Sequence, residues 1–152
     1  MKKVAISACL LGEACRYDGR DNRNDALLEA LGDVQLVPFC PEDDAFGTPR
    51  PTMDLVETGN GVRALSSATG EDLSEPVMTY AKAFFDRHPD IALFVGKDRS
   101  PSCGVCSAHC YSEERELLSD KAAGLMAQEA LSRGVEAVDA EIFMESQKGD
   151  EQ

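Results

Sequence analysis

Residues 91–97 read IALFVGK, and the chain runs directly on into DRSPSCGVCSAHC at 98–110. The first stretch has the short, continuous apolar character of a strand buried on both faces. The second is rich in Ser, Pro and Gly, which is turn chemistry. It also places Cys103, Cys106 and Cys110 within eight residues. A buried strand leading into a cysteine occurs twice more upstream. KVAISA (Lys3–Ala8) runs into Cys9, and VQLVPFC (Val34–Cys40) ends on Cys40.

Helical patterns separate these strands. In NDALLEALG, Ala26, Leu27, Ala30 and Leu31 recur at helical spacing, with Asp21, Asn22 or Asn24 as cap and Gly32 at the end. EDLSEPVMTYAKAFFDRHPD puts Val77, Tyr80, Ala81, Phe84 and Phe85 on one face, with Pro76 in the first turn and Pro89 as the stop. SDKAAGLMAQEALSRG predicts a third helix, capped by Ser119 and closed by Gly134. PEDDAFGTPRPTMD reads as loop, GVRALSS as a short strand or hairpin arm, and VEAVDAEIF as a last strand.

Strands alternating with helices predict an α/β fold: a single domain over residues 1–145, with a mainly parallel sheet flanked by helices in a Rossmann-like three-layer arrangement. Residues 146–152 read as a solvated tail. Parallel strands end on one edge, and ligands bind outside that edge. Cys9, Cys40 and Cys103, distant in sequence, are therefore expected to converge there.

Composition narrows the function. The 152 residues are 43% hydrophobic and 28% charged, with a net charge of −13. That acidity argues against binding a nucleic acid duplex, which needs clustered Lys and Arg, and against an anionic membrane surface. No apolar stretch approaches the ~20 residues of a membrane span. The start, MKKVAISACLLGEAC, superficially matches a signal peptide, but it is short and RYDGRDN follows at once. We read it as the first strand of a cytoplasmic fold. Six cysteines in a chain of this size then suggest reduced thiols serving metal or catalysis rather than disulfides. With His88 and His109 as the sole histidines, sulfur must dominate any metal's first shell, which points to zinc or an iron–sulfur cluster.

Three segments carry candidate chemistry. In SACLLGEACRYDG, Cys15 stands beside Arg16, whose charge favours thiolate. In FCPEDDAFGTPRP, Glu42 lies two residues beyond Cys40, within reach of a metal-bound ligand as acid or base. Glu42, Asp43 and Asp44 equally read as a solvated acidic loop. Arg50, in the stiff turn TPRP, could bind an anionic group or simply form an ion pair. In DRSPSCGVCSAHC, the Cys103-x2-Cys106-x3-Cys110 spacing is close to zinc and iron–sulfur spacings. Ser100 and Ser102 could each donate to a bound ligand.

Taken together and in order, SACLLGEACRYDG, CPE…GTPRP and SPSCG resemble the signature of a bacterial family long catalogued as a domain of unknown function. Its members of known activity are thiouracil desulfidases. The motifs span residues 7–104. The resemblance implies an α/β domain holding an oxygen-sensitive [4Fe-4S] cluster through Cys9, Cys40 and Cys103, with the fourth iron open to the sulfur of a small thiolated substrate. It also implies Glu42 and Ser100 as the acid–base pair. Cys106 and Cys110 have no counterpart in that pattern, and with Cys15 and Arg50 they remain candidate accessory groups. Two other readings stay open. One is a zinc module built on Cys103, Cys106, Cys110 and one further thiolate. The other is a metal-free sulfur-carrier or redox protein using Cys15, Cys106 or Cys110.

Overall fold

A computed structural model describes residues 2–12, 23–47 and 52–150, with side chains as far as residue 146. Four strands, β1 (Lys3–Ser7), β2 (Gln35–Phe39), β5 (Leu93–Gly96) and β8 (Ala137–Asp139), form an all-parallel sheet in the order β2-β1-β5-β8. Residues of β1 and β5 alternate between the two faces, as strand geometry dictates. Ala5 and Phe94 turn toward one core with Phe39, Phe84, Phe85, Met126 and Ala130. Val4, Ile6, Leu93 and Val95 turn toward the other with Leu27 and Ala140. The first core is covered by α3 (Ser74–Arg87) and α4 (Leu125–Ser132), the second by α1 (Asp25–Leu31) and α5 (Ala140–Asp150). Both faces are covered, giving the expected three layers.

The first core is aromatic. Phe39 stacks on Phe94 with ring centroids 4.7 Å apart and meets the edge of Phe84 at 5.7 Å. Full burial of each ring is worth about 1.5–3 kcal/mol, and paired rings add roughly 0.5–1.5 kcal/mol. This cluster anchors the C-terminal end of β2 next to Cys40. Asn24 caps α1, its side chain accepting the Leu27 N–H at 3.0 Å.

The rest of the chain departs from the sequence reading in four places. A second four-stranded sheet was not expected as such: β3 (Met53–Thr58), β4 (Gly61–Ser66), β6 (Ala108–Tyr111) and β7 (Leu117–Ala122), in the order β4-β3-β6-β7. The hairpin arm GVRALSS is its β4. Pro41–Phe46, read as loop, is a short helix, α2. Proline at its first position and three carboxylates in its first turn suit a helix N-terminus, through preset φ and the helix dipole.

The third helix does not start at Ser119. Ser119–Ala122 belongs to β7, and α4 begins only at Leu125. Its first amides find acceptors elsewhere: Leu125 N–H donates to the Pro101 carbonyl at 3.0 Å, and Met126 N–H to the Ser102 carbonyl at 2.8 Å. Gly124 permits this junction, because a Cβ there would sit 2.5 Å from the Ser102 carbonyl carbon. The last strand is likewise cut short at Asp139. The Asp98 carboxylate accepts the Glu141 N–H at 2.9 Å and so serves the first turn of α5, which runs on to Asp150. No described helix is long and apolar enough to cross a membrane.

Candidate active site

The order β2-β1-β5-β8 reverses direction at β1, which creates the crevice where α/β sheets bind ligands. Each strand around that crevice ends beside a cysteine. Past β1 the chain tightens into a 3-10 turn, Ala8–Leu11, that buries Cys9. Past β2, Cys40 occupies the N-cap position of α2 and is half-buried. Past β5, Cys103 is buried in the turn that closes SPSC.

These thiols share one electrostatic environment. Burial pushes the Cys103 thiol far above its ordinary pKa, and Glu42, Cys40 and Cys9 push it further the same way. The Ser7 hydroxyl, hydrogen-bonded to the Cys103 sulfur, opposes them. That hydroxyl also accepts the Lys97 N–H at 3.0 Å, tying the end of β1 to the exit of β5. Soft thiols, two of them buried, beside a carboxylate are a donor set suited to a positively charged iron–sulfur core, which holds them as thiolates. Among the described residues no three His, Cys, Asp or Glu side chains close on one point, as a single metal ion requires. Thiols at the corners of a polynuclear cluster need not do so.

The loop carrying Cys103 is folded by its own polar groups. Arg99 adopts a left-handed φ of 66° and donates its N–H to Ser107 Oγ at 2.8 Å. The Ser100 hydroxyl oxygen accepts the Cys103 N–H at 3.0 Å and the Ser102 N–H at 3.2 Å. Ser102, fully buried, donates its hydroxyl to Glu42 Oε2 at 2.9 Å. Glu42 is therefore hydrogen-bonded to Ser102, while Ser100 serves the loop backbone.

The other two cysteines of DRSPSCGVCSAHC go elsewhere. Cys106 is exposed and donates its thiol to Asp139 Oδ2 at 3.3 Å. That bond to a carboxylate raises its pKa and disfavours thiolate. Asp139, completely buried at the end of β8, also accepts the Val105 N–H at 2.7 Å and the Cys106 N–H at 2.9 Å. Cys110 lies on β6 opposite Leu55, in the core of the second sheet with Met53 and Val77, and burial raises its pKa. The tight spacing of Cys103, Cys106 and Cys110 thus does not form a local knuckle. His109 is exposed on β6. Cys15 and Arg50 lie outside the described residues.

Beside Cys40 opens a cleft of about 220 Å³, lined by Ala8, Phe39, Cys40, Asp43, Asp44 and Tyr80 among others. Tyr80 reads in sequence as one more apolar position of α3. Its hydroxyl oxygen instead accepts the Cys40 N–H at 3.2 Å, and burial raises the phenol's pKa, keeping it protonated. An apolar body with a polar tip is the one sequence signal that could have singled it out. Nothing local distinguished Ser7 or Asp139.

Comparison with known proteins bears on the fold and the family. A solved structure of the [4Fe-4S]-dependent thiouracil desulfidase TudS superposes with a TM-score of 0.75 at 25% identity, over 95% of each chain. The uncharacterized protein YbbK of Bacillus subtilis (strain 168) is 30% identical over 109 residues, 66% of this chain and 72% of that one. The family model for 2-thiouracil desulfurase matches residues 4–141, from β1 into α5, and so takes in the whole cysteine-lined edge. The chain belongs to the 2-thiouracil desulfurase family.

Proposed function

We propose that the protein is an iron–sulfur-dependent desulfidase that removes sulfur from a thiolated pyrimidine or a similar thioamide and releases hydrogen sulfide. The observation that carries this reading is the shared environment of Cys9, Cys40, Cys103 and Glu42 at the sheet's switch point. Cys9, Cys40 and Cys103 would hold a [4Fe-4S] cluster. When bound, that cluster supplies an iron without a protein ligand, a Lewis acid for soft sulfur that polarises a C=S bond.

The protein's own groups do the rest. Glu42 takes a proton from water as the oxygen attacks the thiocarbonyl carbon, then returns it as the C–S bond breaks. The balance is one water consumed, one C=O formed and one hydrogen sulfide released, with no oxidant or reductant. Ser100, whose oxygen already accepts two amides, keeps its O–H to hold the substrate or relay that proton. The protonated Tyr80 phenol offers a second donor at the cleft. The zinc-module reading is disfavoured by Cys106 and Cys110, which face Asp139 and the second core.

Protein purified and loaded without oxygen should release one hydrogen sulfide per uracil formed from 2- or 4-thiouracil, or per uridylate formed from a thiouridylate, with no redox co-substrate. Cluster-loaded protein that releases none from any of these would overturn the proposal.

A further inference from the structure

We infer that Ser102 is the residue that positions the Glu42 carboxylate, an assignment that rests on reading Glu42 as the acid–base group. Both serines of SPSC lie close to the reacting groups, but their hydroxyls have different tasks. Ser100 Oγ is an acceptor for two backbone amides and shapes the turn. Ser102 Oγ is a donor to Glu42 Oε2 at 2.9 Å, across sixty positions of sequence.

Ser102 is suited to aim another side chain because its own backbone is held on both sides. Its N–H donates to Ser100 Oγ at 3.2 Å, and its carbonyl accepts Met126 N–H at 2.8 Å and Ala127 N–H at 3.2 Å from the start of α4. It is completely inaccessible to solvent, so no water competes for its hydroxyl. Glu42 sits in the first turn of α2, a helix of six residues, and the hydroxyl holds its Oε2 at 2.9 Å. The bond links α2, which carries Cys40 at its N-cap, to the loop that carries Cys103. It therefore fixes the carboxylate relative to two of the three thiols. Catalytic groups need placement within about half an ångström, and a 1 Å error can cost on the order of 100-fold in rate.

Cluster-loaded Ser102→Ala should lose about 10- to 100-fold in kcat with KM within about twofold, while iron content and visible absorbance match wild type. Thermal unfolding of the loaded Ser102→Ala, Glu42→Ala and double variants should show a double-variant loss smaller than the sum of the singles, because both singles break one bond. Iron that falls with the rate, a loss carried by KM, or strictly additive unfolding losses would each overturn the assignment. The unfolding comparison does not depend on turnover. If wild-type protein released no sulfide from any thiolated pyrimidine, the desulfidase reading would fail while the Ser102–Glu42 pairing was still measured.

Discussion

Gly96→Ala should give a protein that is markedly less stable and retains less than half of the wild-type iron. Gly96 is the last residue of β5 and is buried. A methyl group there would overlap the carbonyl oxygen of Cys103 and lie 2.9 Å from its carbonyl carbon. Neither atom belongs to a flexible side chain, so the Cys103 backbone itself must move. Overpacking of this kind costs typically about 1–3 kcal/mol, a large share of the roughly 5–15 kcal/mol that keeps a domain folded. The displaced segment is also the one pinned to Ser100 and to the start of α4, so its hydrogen bonds would be disturbed with it. Gly59, in the turn between β3 and β4, has nothing within 4 Å of its added Cβ and is the matched control. Urea midpoints and iron per chain decide the point: Gly96→Ala indistinguishable from Gly59→Ala in both would remove the close approach from the account.

Glu42→Ala should keep the cluster and lose turnover by about 10²- to 10⁴-fold, the range that general acid–base groups supply. The side chain is absent from the thiol set, so iron content and absorbance should match wild type. Glu42→Asp keeps the carboxylate but draws it back from Ser102, and it should fall between wild type and alanine. Sulfide release from a thiolated pyrimidine under single-turnover conditions separates the chemistry from binding. Full activity in Glu42→Ala would remove the residue from the mechanism.

The parts of the fold legible in the sequence were those where local pattern and tertiary role coincide. IALFVGK, KVAISA and VQLVPFC are apolar along their length because a parallel sheet covered on both faces buries alternate residues on each side. The Val77, Ala81, Phe84 and Phe85 stripe marks α3 because all four side chains are buried. The second sheet was illegible because its pairings are non-local: β3 finds β6 more than fifty positions away. Its strand β7, LLSDKA, is largely exposed and lacks the alternation of a half-buried strand.

SDKAAGLMAQEALSRG misled because Ala, Lys and Asp around Ser119 suit a helix. The amides that start α4 are instead satisfied by the Pro101 and Ser102 carbonyls, an arrangement no local pattern reports. The site divides the same way. Three cysteines at strand ends follow from topology alone, which the strands disclosed. Spacing gave Cys106 and Cys110 equal standing with Cys103. Their separation follows from Asp139, which draws Cys106 aside, and from β6, which carries Cys110 into the second core. The distinct tasks of Ser100 and Ser102 depend on rotamers and partners, and two serines flanking one proline look alike in sequence.

The central claim is that Cys9, Cys40 and Cys103, and not the closely spaced Cys103, Cys106 and Cys110, hold the metal. Iron, zinc and inorganic sulfide are to be measured per chain in anaerobically purified wild type and in five single cysteine-to-serine variants. Wild type should be brown, with about four irons and four sulfides as a [4Fe-4S] cluster requires. Cys9→Ser, Cys40→Ser and Cys103→Ser should each lose the cluster, whereas Cys106→Ser and Cys110→Ser should keep it. Colourless wild-type protein with stoichiometric zinc, or loss in Cys106→Ser and Cys110→Ser with Cys9→Ser intact, would contradict the account.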